Sequence, residues 1–350
     1  MKTTLRIYRY DPDKNEHPNY SDFNIKIEKG MTILDGLRKI KDELDGSLSY
    51  RCSCRSGICG SCAMVINNNS KLACNTQIED EVKVHGKLIV EPMKNMAVQK
   101  DLVIDMQPFW NHMKKLKPWL ITDEKHVMPE KEHIMKTDEV NEFKGTPNCI
   151  SCGACHSSCP AVMTDPEFPG PAALAKLYRF TVDPRDDAKQ KRLKNISTDG
   201  LWWCVRCYEC VKACPKEVRP GEVITDLKEI AVKNKHKSDI GSKHAIKFLD
   251  NIRKYGILNE EELILKTLKL GAVKKLKLGS KMILKGKYKP LPILGETIDE
   301  LDEIETMYKE LNYSNLKTDS PNESFTSKMK AVVGISMLVI VAETIVLTVL

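Results

Sequence analysis

Two stretches decide the fold: Cys149–Pro160, CISCGACHSSCP, and Cys204–Pro215, CVRCYECVKACP. Both read C-x2-C-x2-C-x3-C-P, an internal repeat that supplies Cys149, Cys152, Cys155 and Cys159, then Cys204, Cys207, Cys210 and Cys214. Thiolates at these intervals are iron–sulfur ligands, and in a doubled run the first three cysteines wrap one cluster while the fourth reaches the other. That crossing predicts one [4Fe–4S] centre on Cys149, Cys152, Cys155 and Cys214, and a further centre on Cys204, Cys207, Cys210 and Cys159. Pro160 and Pro215 follow the fourth cysteines and turn the chain away. Paired CxxC units also suit zinc, but the doubling of all four positions argues for clusters. His156, beside Cys155, reads as a flanking residue because four thiolates already complete each set.

Upstream, Cys52–Ile66 (CSCRSGICGSCAMVI) and then Leu72–Cys74 (LAC) supply Cys54, Cys59, Cys62 and Cys74 as C-x4-C-x2-C-x11-C. The first three intervals are those of a plant-type [2Fe–2S] loop. Such a loop wraps its cluster closely with amide N–H groups aimed at the sulfurs. Gly57 and Gly60 permit the dihedrals and the close approach this needs. The fourth thiolate then comes from a neighbouring strand. Cys52 is left over from the thirteen cysteines, either a substitute ligand or an ordinary small thiol.

Around these loops the pattern is mixed. TLRIYRY and FNIKIE alternate apolar and polar residues about a turn and predict a hairpin. MTILDGLRKIKDEL places Ile33, Leu37, Ile40 and Leu44 at helical spacing before Gly46. AMVI, VKVH and KLIVEP read as short strands, giving a small sheet packed on one helix, a β-grasp. From Asp101 to about Lys235 the pattern is helical, and amphipathic helices such as KHAIKFLDNIRKYG and EELILKTLKLG follow. Residues 312–328 read as a polar linker. The expected fold class is α+β: a β-grasp ferredoxin domain (1–105), an all-α two-cluster ferredoxin domain (106–235), a basic helical extension with linker (236–327) and a C-terminal transmembrane helix (328–350).

A chain of 350 residues has room for two or three domains. Its first 25 residues lack an apolar leader, and a cysteine-rich chain of this kind suits a reducing compartment. The net charge of +7 is modest and its basic excess local, so nucleic-acid binding is not expected. Between Glu262 and Glu296 stand Lys266, Lys269, Lys274, Lys275, Lys277, Lys281, Lys285, Lys287 and Lys289 with no acid. They read as a helix on anionic lipid, a solvated face, or a dock for an acidic subunit. Residues 331–350 are apolar apart from Glu343, about 30 Å of helix at 1.5 Å per residue. A membrane span is expected in preference to a buried core helix. Lys328 and Lys330 precede it, which keeps the cluster domains on the cytoplasmic side of the cell membrane. Glu343 is costly in lipid and is expected to face another helix, a quinone site or the outer interface.

Residues 1–235, through YRCSCRSGICGSCAM, LACNTQI, CISCGACHSSCP, FPGPAALAKLYRF and CVRCYECVKACPKEVRPGEVI, resemble the iron–sulfur subunit of succinate dehydrogenase and fumarate reductase. The resemblance implies a flavoprotein partner whose FAD exchanges electrons with succinate or fumarate. It also implies transfer through the three centres to a membrane anchor subunit and its quinone. The chain itself has no G-x-G-x-x-G fingerprint or P-loop. In most of that family the position matching Cys207 is not cysteine and the third centre is [3Fe–4S]. Here Cys207 favours a second [4Fe–4S], with Cys159, Cys204 and Cys210 as the set if it is [3Fe–4S]. Thr164 and Val205 stand where quinone-linked members carry Trp and His, which puts the usual quinone pocket in doubt. GSKHAIKFLDNIRKYGILNEEELILKTL is similar to part of the small iron–sulfur subunit of heterodisulfide reductases and anaerobic glycerol-3-phosphate dehydrogenases. That similarity implies a separate CCG-domain subunit. It leaves a thiol- or heterodisulfide-linked fumarate reductase, or a free-standing tethered ferredoxin, as the alternatives.

Overall fold

The computed structural model describes residues 2–14, 17–122, 130–236, 239–268 and 297–310, with positions 278, 281–282 and 285–286. The chain divides into two units, Met1–His236 and Lys237–Leu350.

The first unit begins with the expected hairpin. β1 (Lys2–Arg9) pairs antiparallel with β2 (Asn19–Lys26), Leu5 opposite Phe23 and Ile7 opposite Ser21. Period-two alternation turns Leu5, Ile7 and Ile25 into the core. α1 (Ile33–Glu43) starts at a Thr32–Asp35 capping box and buries Ile33, Leu34, Leu37 and Ile40. Each such side chain contributes about 1.5–3 kcal/mol by leaving water, which is what fixes the helix on the sheet. β3 (Ala63–Ile66), β4 (Asn69–Leu72) and β5 (Leu88–Glu91) complete a sheet ordered β2-β1-β5-β3-β4, with β1 and β5 parallel.

VKVH does not form the expected strand. It lies in α2 (Ile78–His85). Val82 and Val84 mimic β alternation, but Glu79, Asp80 and Glu81 fill the first helical turn and Lys83 and His85 the last. Those charges suit the helix dipole, and Gly86 at φ +67° ends the helix in the left-handed conformation.

A short hairpin of β6 (Val98–Lys100) and β7 (Val103–Ile104) follows. Asp101 at its turn is buried, and its carboxylate accepts from Arg9 Nε (3.0 Å), the Tyr10 amide (3.0 Å) and the Ser49 amide (2.8 Å). It thereby ties β1 to the chain that enters the first cysteine loop.

The helical part comprises α3 (Gln107–Lys115), α4 (Thr137–Phe143), α5 (Ala154–Ser157), α6 (Pro160–Thr164), α7 (Pro171–Thr181), α8 (Lys189–Thr198), α9 (Glu209–Lys212) and α10 (Pro220–Lys233). Proline opens α6, α7 and α10, where its missing N–H costs nothing. Leu174, Leu177, Leu193, Ile196, Ile224 and Leu227 form the core between α7, α8 and α10. Arg192 is buried there with both charge and donors satisfied. It pairs with Asp186 (2.7 Å) and donates to the carbonyls of Leu116, Lys117 and Trp119.

In the second unit α11 (Ile240–Tyr255) is capped by Asp239 and packs with α12 (Glu260–Leu268). Tyr308 of α13 (Leu301–Glu310) donates to the Leu249 carbonyl at 3.0 Å. Lys266 pairs with Glu262 at 2.6 Å, and most of the remaining lysine-rich stretch, like linker 312–328, lies outside the described residues.

The expected transmembrane helix requires correction. Among the described residues no helix is long and apolar enough to cross a membrane, and 328–350, with Glu343, lies outside them. α11, the longest described helix of the second unit at 16 residues, interleaves lysines with its apolar positions. The fold class is therefore a sheet domain and a helical part, with no membrane span among the described residues. The cytoplasmic-side localisation at the cell membrane rested on that span and falls with it.

Candidate metal centres

The first centre is built by the loop between α1 and β3. Arg55, Gly57 and Gly60 all sit at positive φ (+57°, +67° and +74°), which curls the backbone so that its amides face inward. Cys54 Sγ accepts from the amides of Ser56 (3.4 Å), Ile58 (3.4 Å) and Cys59 (3.2 Å). Cys59 Sγ accepts from Cys54 and Ser61 (3.4 and 3.5 Å), and Cys74 Sγ from Gly57 (3.3 Å). Cys74 comes from a 3-10 turn, Ala73–Asn75, just past β4 and not from a strand. The Ala73 amide donates to the Cys62 carbonyl (3.1 Å) and locks the two segments together. Hydrogen bonds from the Ser61 hydroxyl and nearby amides draw the Cys59 thiol down to about 6, while burial pushes Cys62 up to about 12. Donors converging on sulfur stabilise charge there, as a [2Fe–2S] cluster requires. Cys52 is exposed, outside this ring of amides.

The two repeats fold alike. Ser151 and Gly153 in the first loop, and Arg206 and Tyr208 at the same places in the second, all have positive φ (+54°, +82°, +56° and +60°). Each loop then enters a one-turn helix, α5 or α9, that carries the third cysteine. Cys149, Cys152, Cys155 and Cys214 line one pocket, with Gly153, Ala172 and Pro215 among its walls. Cys214 of the second repeat thus stands with the first three cysteines of the first. Burial raises Cys152 to about 11 and Cys155 well above the ordinary thiol value, and neighbouring thiolates add to both. Val218 N–H donates to Cys214 Sγ at 3.4 Å.

Cys159, Cys204, Cys207 and Cys210 form a second neighbourhood. Cys210 is held up at about 12 by burial and by Cys204, Cys159 and Cys207 around it, and Cys159 is raised by burial and by Cys204 and Cys207. Cys159 and Cys210 are buried, and Cys207 is exposed. Such upward shifts are the cost of gathering thiolates, which bound iron would offset. Among the described residues no three Cys, His, Asp or Glu side chains converge on a single ion.

His156 is buried and stacks edge-on against Phe109 (ring centroids 5.5 Å apart), and burial lowers its pKa to about 4. Its Nδ1 and the buried Nε1 of Trp202 have no protein partner, and they stand near cysteines 155 and 204 in sequence. Thr164 Oγ1 donates to the Pro160 carbonyl (2.9 Å), and Val205 is 67% exposed.

Sequence reading missed the polar seam between sheet and helices. Asn95 Nδ2 donates to the carbonyls of His156 (3.0 Å), Ser157 (3.1 Å) and Cys159 (3.1 Å). Ser157 Oγ accepts from Ser70 Oγ (3.0 Å) and from the Lys94 amide (2.9 Å). No local motif marks these pairs.

Comparison with known proteins agrees with this chemistry. A family described as "2Fe-2S iron-sulfur cluster binding domain" matches residues 4–111, and one described as "4Fe-4S dicluster domain" matches residues 146–218. The chain is 36% identical over 241 residues to the fumarate reductase iron-sulfur subunit of Haemophilus influenzae, spanning 66% of this chain and 93% of that one. It is 39% identical over 228 residues to the subunit of the same name from Mycobacterium tuberculosis, spanning 65% and 92%. The fold matches a chain of the Mycobacterium smegmatis Sdh1 complex in the apo form, with a TM-score of 0.61 at 22% identity over 68% of this chain and 98% of that one.

Fold and thiol arrangement together define an iron–sulfur electron carrier with [2Fe–2S] and [4Fe–4S] domains. Within that class, the chain belongs to the iron–sulfur subunits of fumarate reductase and succinate dehydrogenase, an oxidoreductase complex.

Proposed function

We propose that the chain conducts electrons between the FAD of a flavoprotein subunit and a membrane acceptor, with a membrane anchor subunit or a CCG-domain subunit completing the complex. The observation that carries this reading is the cavity walled by Cys149, Cys152, Cys155 and Cys214, which joins the first repeat to the end of the second. Cys54, Cys59, Cys62 and Cys74 would hold a [2Fe–2S] cluster. The cavity cysteines would hold a [4Fe–4S] cluster, and Cys159, Cys204, Cys207 and Cys210 a second one. When bound, these groups supply one-electron carriers in series.

The protein's own part is to fix the thiolates and exclude water. Curled loops aim amides at sulfur in the first centre, and the core around Leu174 and Ile224 packs on Cys155, Cys159 and Cys210. The domains of this reading are 1–105 for the first centre and 106–235 for the other two, with 236–327 as an extension. Direct succinate–quinone assay of the purified complex, with a thiol or disulfide acceptor in parallel, tests the terminal acceptor. A one-to-one complex with a flavoprotein excludes a free-standing ferredoxin. A chain that purifies alone, with fully assembled clusters, would sink the subunit reading.

A further inference from the structure

The two repeats share one device outside their cysteines. Lys176 of α7 donates from Nζ to the carbonyl oxygen of Cys149 (3.2 Å), and Lys228 of α10 donates from Nζ to that of Cys204 (2.8 Å). Cys149 and Cys204 are the first cysteines of their loops, so the two bonds are equivalent under the repeat. Each lysine stands some 25 residues beyond its cysteine (27 and 24) on the long helix that backs the loop, and the two helices pack on each other.

The environments differ. Lys228 is 5% exposed, with its ammonium 5.6 Å from the Trp202 ring centroid. Lys176 is half-buried on the rim of an open cleft that it shares with Trp110, Lys114 and Arg179. A cation buried from water acts with little screening, whereas one at a wet rim is damped. Reduction adds negative charge to a cluster, so a fixed cation beside its ligand favours the reduced form and raises the potential.

We infer that Lys176 and Lys228 are a matched pair of positioning residues, each fixing the first ligand of its loop and raising the potential of the centre that loop holds, with the larger effect at the third centre. The inference rests on the ligand assignment proposed above.

The test is an EPR-monitored redox titration of the assembled complex. In Lys228→Met the reduction equilibrium constant of the third centre should fall about tenfold, about 59 mV for a one-electron couple. The second centre should stay within about twofold of wild type. Lys176→Met should reverse the pattern with a smaller shift, and Lys228→Arg should stay within about threefold of wild type. Lys228→Gln, which keeps a donor and drops the charge, decides the matter if the methionine variant does not assemble. Unshifted potentials, or equal shifts at both centres, would overturn the inference. So would loss of the third centre in both Lys228→Met and Lys228→Gln, since that makes the lysine a folding element. Absence of the third-centre signal from wild type would instead remove the ligand assignment.

Discussion

Gly60 and Cys152 are in backbone contact: a Cβ built on Gly60 would lie 2.6 Å from Cβ of Cys152 and 3.0 Å from its Cα. The loop of the first centre therefore touches the loop of the second with no side chain between them. Only a glycine fits at this contact between the two cysteine loops.

Gly60→Ala meets two costs, a methyl driven into Cys152 and a non-glycine residue at φ +74°. Together these amount to about 2–5 kcal/mol. Gly57→Ala carries only the second cost, since its Cβ would find nothing nearer than 3.9 Å at φ +67°, about 1–2 kcal/mol. Iron and sulfide analysis with visible circular dichroism should show Gly60→Ala depleted at the first two centres and Gly57→Ala close to wild type. Equal losses in the two variants would mean that the contact does not matter.

Asn95 closes the C-terminal end of α5 by donating to three carbonyls. Asn95→Ala removes the side-chain donor from all three carbonyls, of which those of His156 and Cys159 keep the Cys159 and Met163 amides, and places alanine at φ +62°. Denaturant unfolding should register a loss of about 2–4 kcal/mol. Asn95→Gly relieves the dihedral but still lacks the side-chain donor, so it should recover about 1 kcal/mol of that. A glycine variant as stable as wild type would show that the amide contributes nothing.

What the sequence made legible was local. Twelve cysteines at recognised intervals carry their chemistry in short windows, and so do the β1–β2 hairpin and the capped α1. The strand expected at VKVH failed because alternation of Val82 and Val84 competes with charges placed for a helix dipole. Asn95 and Ser157 lie 62 residues apart, and Lys228 lies 24 from Cys204. Neither pairing leaves a local pattern, because the first depends on how α5 meets the segment after β5 and the second on how α10 meets the Cys204 loop.

Asp183 is buried between Arg179 and Arg185. Burial alone would raise its pKa, but hydrogen bonds from Arg185 and Arg179 outweigh it and hold the carboxyl well below the usual range. A carboxylate depressed in the folded state contributes stability above its unfolded value of about 4 and loses it as pH falls below that value. Asp183→Asn should therefore be about 2–4 kcal/mol less stable than wild type at pH 7, by the lost pair. Thermal unfolding should show this gap constant down to about pH 5 and closing only below about pH 4. A gap that closes between pH 8 and 6 would assign it to another group.

Cys207 decides the third centre. It is exposed, while Cys159 and Cys210 of the same neighbourhood are buried. Two of the four proposed ligands are thus buried, Cys204 is half-buried and Cys207 faces outward, an arrangement in which removing the outward thiol leaves the other three cysteines in place. Cys207→Ser should convert the third centre from [4Fe–4S] to [3Fe–4S] without unfolding the chain. About one iron per chain should be lost, and the oxidised protein should gain the strong isotropic EPR signal of a three-iron cluster. Its potential should rise, since a thiolate that adds negative charge is gone. If wild type already shows that signal as isolated at full iron content, and Cys207→Ser leaves it unchanged, then Cys207 is not a ligand. The third set is then Cys159, Cys204 and Cys210, as in most of the family.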